Sequence, residues 1–176
     1  KNQEYRTPLG DELAAMLYTS GTTGNPKGVM LSFNNLLSNM TGIIEREIIT
    51  SIDQTLALLP FHHVLPLMVT LVVVYSGASI VFVPKIASHE ILEALGKNRV
   101  TILVGVPRVY KLFYDGIKDQ IQSKFITRKI YDMTSVIKSM KIRKTIFKKV
   151  HTKFGGHLKQ MISGGAKLDP EIGDFF

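Results

Sequence analysis

Ten residues near the start of the chain combine the residue types that together bind phosphate. Thr19 to Gly28, TSGTTGNPKG, contain three glycines, four hydroxyl side chains and one lysine. The glycines let backbone N–H groups approach a ligand, the hydroxyls add neutral donors, and Lys27 places a positive charge behind the stiff ring of Pro26. One hydroxyl could also bind a magnesium ion that phosphates hold. The stretch therefore predicts a phosphate-binding loop.

The residues alone also suggest two alternatives to this phosphate-binding loop. The P-loop of nucleotide hydrolases needs a glycine directly before its lysine and a serine or threonine directly after it, and here Pro26 and Gly28 stand in those places. The P-loop is therefore excluded. A surface turn rich in glycine and threonine explains the composition of the stretch equally well.

The composition is that of a globular protein with an anionic partner. The 176 residues, 45% of them hydrophobic, are enough for one domain with a core. The absence of cysteine excludes a disulfide framework and a cysteine-bound metal. A net charge of +8 predicts an anion as partner, and nucleotide phosphates, coenzyme A, acidic lipid and nucleic acid all qualify.

Apolar runs alternate with helix-like segments along the chain. This alternation predicts an α/β fold with a largely parallel sheet flanked by helices, and these elements must position the loop. The apolar run Val64–Tyr75 is too short to cross a bilayer, and we expect a buried core helix there. Ser32 is a predicted N-cap. Strands are predicted at 13–18, 28–31, 56–59, 79–83, 100–104 and 158–162, and helices at 33–47, 64–75, 89–98 and across most of 107–150.

The order of residues from Tyr18 to Ser32, YTSGTTGNPKGVMLS, resembles the signature of the adenylate-forming superfamily, which includes acyl-CoA synthetases. The resemblance implies that Ser20, Gly21, Thr22, Thr23 and Gly24 wrap the β- and γ-phosphates of ATP, and that Lys27 neutralises them. It also implies that Thr19 binds magnesium, as in the long-chain members. Phe33 departs from a histidine common in the family.

Two further segments resemble the same family in the same order. LPFHHV, residues 59–64, places His63 where the family lines the acyl pocket beside the reacting carboxylate, while His62 is expected to be an ordinary packed or surface residue. MISGGAKLDPE, residues 161–171, is similar to the family's adenine-binding turn, which implies that Gly164, Gly165 and Ala166 lie against the ring. Lys167 stands where a proline is usual.

The segment GVPRVYKLFYDG, residues 105–116, resembles the long-chain fatty-acid-CoA ligases. The basic region that follows is expected to be a solvated face or, in a sharper interpretation, a surface for acidic lipid. Nucleic-acid binding ranks lower, because stacking aromatic residues are not interleaved with the charges. The basic residues are Lys138, Lys141, Arg143, Lys144, Lys148, Lys149 and Lys153.

The resemblance implies a two-step reaction in the intact enzyme. A fatty carboxylate attacks ATP with magnesium to give acyl-AMP and pyrophosphate, and coenzyme A then displaces AMP. Residues 1–176 are interpreted as the central part of the AMP-binding N-terminal domain, without the C-terminal domain, and the chain alone is expected to be inactive and prone to self-association. A cytoplasmic location is expected, with peripheral membrane contact as an addition. The alternatives are a ligase for aryl or medium-chain acids and a non-catalytic nucleotide- or lipid-binding module.

Overall fold

The computed structural model describes residues 7–19, 25–83, 86–122, 137 and 139–176. The chain divides into two compact units. The first unit comprises Lys1–Ile52 and Leu59–Ala78, and the second comprises Asp53–Leu58 and Ser79–Phe176.

The first unit begins with an antiparallel hairpin on either side of the glycine-rich loop. Strand β1 (Leu13–Thr19) pairs with β2 (Lys27–Ser32), and the pairing ends at the loop with Thr19 opposite Lys27. The two predicted strands are confirmed. They form a separate two-stranded sheet, because each strand pairs with its neighbour in sequence and not with the parallel sheet.

Helix α1 (Phe33–Ile44) starts directly after the predicted N-cap. The Ser32 hydroxyl accepts a hydrogen bond from the Asn35 N–H at 3.3 Å, and the Asn35 side chain accepts one from the Ser32 N–H at 3.0 Å. This reciprocal capping box satisfies two of the free N–H groups of the first turn. The predicted end at Glu47 is wrong: the helix stops three residues earlier, and Glu47 itself has φ 48°, which is left-handed backbone and ends any helix.

Helix α2 (Val64–Tyr75) packs against α1 and has the predicted bounds. The expectation that it is a buried helix is only half correct. Val72 and Val73 are fully buried, whereas Val74 and Tyr75 are each 69% exposed. A run of apolar residues on all sides of a helix carries no information about which side its neighbours cover. None of the helices in the described residues is long and apolar enough to cross a membrane.

The second unit contains a four-stranded parallel sheet in the order β4-β3-β5-β6, which confirms the predicted α/β class. The strand predicted at 56–59 starts two residues earlier, because the polar residues Gln54 and Thr55 pair with β4 and Thr55 is 1% exposed. The other three predicted strands lie within two residues of the observed ones. The strands are β3 (Gln54–Ala57), β4 (Ser79–Phe82), β5 (Ile102–Gly105) and β6 (Gln160–Ser163).

Helices of the second unit cover this sheet and build its core. Ile91 and Leu95 of α3 are fully buried, as is Leu103 of β5. The prediction of helix across most of 107–150 is confirmed for the described residues, and residues 123–136 and 138 of that range lie outside them. The helices are α3 (Ser88–Lys97), α4 (Pro107–Gln122), α5 (Met140–Ile146), α6 (Lys148–Lys153) and α7 (Pro170–Phe175).

A buried carboxylate ties the amino ends of three strands together. Asp53, which is 6% exposed and precedes β3, accepts a hydrogen bond from the Thr101 hydroxyl at 2.8 Å and pairs with the Lys159 ammonium at 3.1 Å. Thr101 and Lys159 precede β5 and β6 respectively. The buried charge is therefore compensated, and the network fixes the relative register of these strands at the end opposite to their carboxyl edge.

Candidate nucleotide-binding site

The end of the hairpin brings Thr19 and Lys27 together. The two residues are direct partners across the antiparallel pair, and the Thr19 hydroxyl donates to the Lys27 carbonyl at 3.5 Å. Side chains of directly opposed residues leave the same face of a sheet with their Cβ atoms about 5 Å apart. Both residues are exposed. The side chains that carry a hydroxyl and an ammonium group therefore leave the backbone next to each other, at the end of the hairpin where the loop begins.

The tip of the predicted phosphate-binding loop lies outside the described residues. Ser20, Gly21, Thr22, Thr23 and Gly24 all belong to it. Their predicted contacts with the β- and γ-phosphates stay predictions.

The glycine that closes the hairpin, Gly28, is packed closely by neighbouring side chains. It lies opposite Tyr18, and an added Cβ atom would come within 3.1 Å of the Met16 sulfur and 3.5 Å of the Tyr18 ring. A Cβ atom at position 28 would require the Met16 side chain to shift by a few tenths of an ångström, whereas the Tyr18 ring would remain in ordinary van der Waals contact.

The predicted adenine-binding turn follows β6, at the carboxyl edge of the parallel sheet. Ser163 is the register partner of Gly105 at the end of β5, and the Gly164 N–H donates to the Gly105 carbonyl at 3.1 Å. Ligands of open α/β sheets bind at this edge. Gly165 has φ +80°, a left-handed conformation that favours glycine, and it turns the chain immediately after the strand. Ala166 is exposed.

Tyr110 holds the two strand ends that carry this turn, a role that the sequence interpretation missed. Its ring lies 3.4 Å from the position that a Cβ atom of Gly105 would take, and its hydroxyl reaches the Leu103 carbonyl at 2.9 Å and the Ile162 carbonyl at 2.7 Å. One hydroxyl proton is shared between two carbonyl oxygens. Burial raises the pKa of Tyr110 far above its usual range, so the phenol stays neutral and remains a donor.

The hydroxyl of Ser163 is a second group that the sequence interpretation missed. Its Oγ is buried and has no hydrogen-bond partner in the described part of the chain. Buried hydroxyls are nearly always hydrogen-bonded, so an unpaired one at the edge where ligands bind fits a polar ligand atom or a water as its partner. The only available signal in the sequence was its position directly before two glycines.

His63 lies at the N-cap of α2 in the first unit and is exposed. Its ring packs at 4.3 Å from that of His62, and its side chain makes no capping hydrogen bond. His62, which was expected to be an ordinary packed or surface residue, is exposed. The acyl-pocket role of His63 stays a prediction, and its ring nitrogens are not used in capping.

The described residues contain no cluster of three or more histidine, aspartate or glutamate residues that could hold a metal ion by themselves. Thr19 contributes one exposed hydroxyl oxygen. Magnesium is a hard ion that accepts such an oxygen and takes its remaining ligands from phosphates and water. The residues therefore fit a magnesium ion that arrives with a polyphosphate, with Thr19 as its candidate ligand.

Comparison with known proteins settles the family. The family model described as AMP-binding enzyme matches residues 1–176. The chain belongs to the AMP-binding enzyme family. The resemblance of the chain to this family is thus confirmed, and the fold is that of part of the N-terminal domain of an adenylate-forming enzyme.

Relatives within the AMP-binding family include acyl-CoA synthetases. Long chain acyl-CoA synthetase 7, peroxisomal, of Arabidopsis thaliana is 31% identical over 183 residues, which cover 97% of this chain and 26% of that protein. The chain thus spans about a quarter of the length of this curated relative.

Two solved structures of the AMP-binding family share the fold. ATP-bound MatB from Rhodopseudomonas palustris has a TM-score of 0.63 and 31% identity over 94% of this chain and 26% of its own. O-succinylbenzoate Coenzyme A Synthetase (MenE) from Bacillus subtilis, in complex with ATP and magnesium ion, has a TM-score of 0.56 and 27% identity, covering 64% of this chain and 24% of its own.

Proposed function

We propose that this chain is the nucleotide-binding part of a long-chain fatty-acid-CoA ligase. The observation that carries the proposal is the Thr19·Lys27 pair at the mouth of a glycine- and hydroxyl-rich loop. This pair stands in a chain that matches the AMP-binding family over its whole length. The full-length relatives named long-chain acyl-CoA synthetases support the substrate class.

In the first step, the formation of acyl-AMP, each part of the loop would have its own role. A carboxylate oxygen of the fatty acid attacks the α-phosphorus of ATP, the bond to the bridging oxygen breaks, and pyrophosphate leaves with the electron pair. Lys27 and the backbone N–H groups of residues 20–24 would stabilise the charge that develops on the phosphate oxygens. A bound magnesium ion, with Thr19 as one ligand, would neutralise further charge on the polyphosphate.

The turn after β6 is the proposed adenine-binding element of the second unit. Gly164, Gly165 and Ala166 carry no side chain larger than a methyl group, so a flat adenine ring can lie against their backbone. Tyr110 positions this turn through its hydrogen bonds to the two strand carbonyls. His63 would line the acyl pocket beside the carboxylate.

The second step completes the thioester. The thiol sulfur of coenzyme A attacks the acyl carbon of acyl-AMP, and AMP leaves with the electron pair of the broken carbon–oxygen bond.

The test uses the protein encoded by the complete reading frame, with pyrophosphate release measured for palmitate, an aryl acid and an amino acid. We expect release to favour palmitate and to fall about 100- to 1000-fold in Lys27→Ala, because one charge-stabilising group is lost. The matched control is Lys97→Ala, an exposed lysine that pairs with Glu93 within α3. Its activity should equal that of the wild type.

Two outcomes lead to other functions. Release that favours the aryl acid indicates a ligase for a different carboxylic acid, an alternative supported by the similarity to MenE, an o-succinylbenzoate coenzyme A synthetase. No release with any acid contradicts the ligase proposal and leaves a nucleotide- or lipid-binding module. Release that Lys27→Ala does not change contradicts the catalytic role of Lys27.

A further inference from the structure

The positive charge of this protein is concentrated in one segment. Residues 133–168 contain nine lysines and arginines and no aspartate or glutamate, whereas the remainder of the chain contains 13 basic and 14 acidic residues. All of the net charge of +8 therefore comes from about a fifth of the sequence. Such segregation creates a local field that a uniform distribution of the same charges would not produce.

The two helices α5 and α6 display this charge on one side. Arg143, Phe147 and Val150 are partly covered, and Phe154 after α6 is buried with its ring 5.2 Å from that of Phe113. These positions recur every three or four residues and define the inner side, where α6 packs against α3. The opposite side consists of exposed residues, and His151 and Lys153 are exposed as well. The residues of the opposite side are Ile142, Lys144, Thr145, Lys148, Lys149 and Thr152.

The three lysines of the outer side form no ion pairs with other described residues. In the part of the chain that the structure describes, Lys144, Lys148 and Lys149 form none, whereas Lys159 from the same segment pairs with Asp53. Lys148 and Lys149 are adjacent in α6, and Lys144 lies in α5 directly before it, so three positive charges fall within six residues. Like charges so placed repel each other, and an external anion relieves that repulsion.

The residue types identify the kind of anion. Eight of the nine basic residues are lysines. Lysine is a compact charge that responds to a diffuse negative potential, whereas arginine is preferred where individual phosphates or bases are bound in a fork. Ile142, which is 52% exposed, adds an apolar side chain to the same outer side. Lysines around an exposed aliphatic residue match the headgroup layer of an acidic bilayer.

We propose that the outer side of α5 and α6 binds the surface of a membrane that contains anionic phospholipid. Lys144, Lys148 and Lys149 lie over the headgroups and Ile142 contacts the boundary of the acyl chains. The interaction is electrostatic and reversible, and it weakens as salt screens the charges. It does not depend on the ligase reaction, so Lys27→Ala should bind vesicles as the wild type does.

The experiment is sedimentation of the protein from the complete reading frame with vesicles of phosphatidylcholine, with or without phosphatidylserine. We expect binding only to the vesicles with phosphatidylserine. A lysine near such a surface strengthens binding about fivefold, so the triple variant Lys144→Gln/Lys148→Gln/Lys149→Gln should bind on the order of a hundredfold more weakly. The matched control, Arg46→Gln/Arg99→Gln/Lys111→Gln, removes the same net charge from exposed residues elsewhere.

The control decides whether position or net charge matters. The proposal holds when the helix variant loses binding and the control retains it, with both variants folded by circular dichroism. It is overturned when both variants weaken equally, when phosphatidylcholine alone binds as well, or when no vesicle binds. Binding of a single-stranded oligonucleotide through the same lysines, without vesicle binding, would overturn it in favour of a nucleic-acid surface.

Discussion

At the scale of single residues, Tyr110 has the largest structural effect on the candidate site. Tyr110→Phe removes the hydroxyl and leaves the Leu103 and Ile162 carbonyls without their shared donor. We expect the free energy of unfolding to fall by about 1–3 kcal/mol. Urea denaturation at pH 7 measures this change, and an unaltered midpoint would show that the carbonyls need no donor.

The same hydroxyl predicts a dependence of stability on alkaline pH. Burial raises the pKa of Tyr110 in the folded protein, so the unfolded chain loses this proton first. The stabilisation is therefore complete below about pH 10 and decreases as the pH rises above it, by about 1.4 kcal/mol per pH unit. The stability difference between wild type and Tyr110→Phe should narrow between about pH 10 and 12, and a constant difference would contradict the assignment.

Two adjacent glycines offer a matched test of close packing. Gly155 and Gly156 have φ +79° and +73°, so alanine is strained at both positions. Only at Gly155 would the added Cβ atom collide, at 2.0 Å from the Leu95 carbonyl oxygen, whereas at Gly156 it meets nothing within 4 Å. We expect Gly156→Ala to cost about 1 kcal/mol and Gly155→Ala about 3 kcal/mol or more. Thermal unfolding of both variants provides the comparison.

At the scale of elements, α4 and α7 are joined by a polar cluster. The Tyr114 hydroxyl donates to the Glu171 carboxylate, and the Lys118 ammonium donates to Tyr114 and lies 3.0 Å from Glu171. The pKa of Glu171 is lowered by the hydrogen bond from Tyr114 and then by Lys118. Tyr114 is buried, whereas the charged side chains of Lys118 and Glu171 are exposed, so solvent limits the contribution of their ion pair to stability.

This cluster predicts a dependence on acid pH. The pKa of Glu171 is lower in the folded protein than in the unfolded chain. The ionised carboxylate therefore adds to the free energy of unfolding at pH values above the unfolded pKa, and this contribution is lost as the pH falls through the folded pKa. Glu171→Gln should therefore have a lower melting temperature than the wild type at pH 7, and the difference should shrink below about pH 4. Asp174→Asn, a change of an exposed acid on the same helix, should show neither effect.

Much of the fold at this scale could be predicted from the sequence, and the exceptions have physical causes. Ser32 and Asn35 form a local cap, so the start of α1 follows from adjacent residues. The start of β3 does not, because Gln54 and Thr55 are polar and join the sheet only through pairing with a distant strand. The role of Tyr110 could not be predicted from the sequence either, because one of its hydrogen-bond acceptors, the Ile162 carbonyl, is 52 residues away. The hairpin could be located, but the side-by-side placement of Thr19 and Lys27 required the strand register.

At the scale of the whole molecule, ligand binding should stabilise the fold. A ligand that binds only the folded state adds about 2.7 kcal/mol when its concentration is a hundred times its Kd. Magnesium-ATP should therefore raise the melting temperature of the wild type, and Lys27→Ala should lose most of this increase while its melting temperature without nucleotide stays unchanged. An equal increase in both proteins would show that Lys27 does not contact the polyphosphate.

The order of the strands also determines when the sheet can be completed during synthesis. Strand β5 lies between β3 and β6, and β6 starts at Gln160, long after β5 ends at Gly105. While the nascent chain is shorter than this, the hydrogen-bonding groups on one side of β5 have no partner, and Ile102, Leu103 and Val104 are buried only once the unit is assembled. Such an open apolar strand favours association with other chains. The ribosome-bound intermediate is therefore the stage at which we expect this protein to depend most on chaperones.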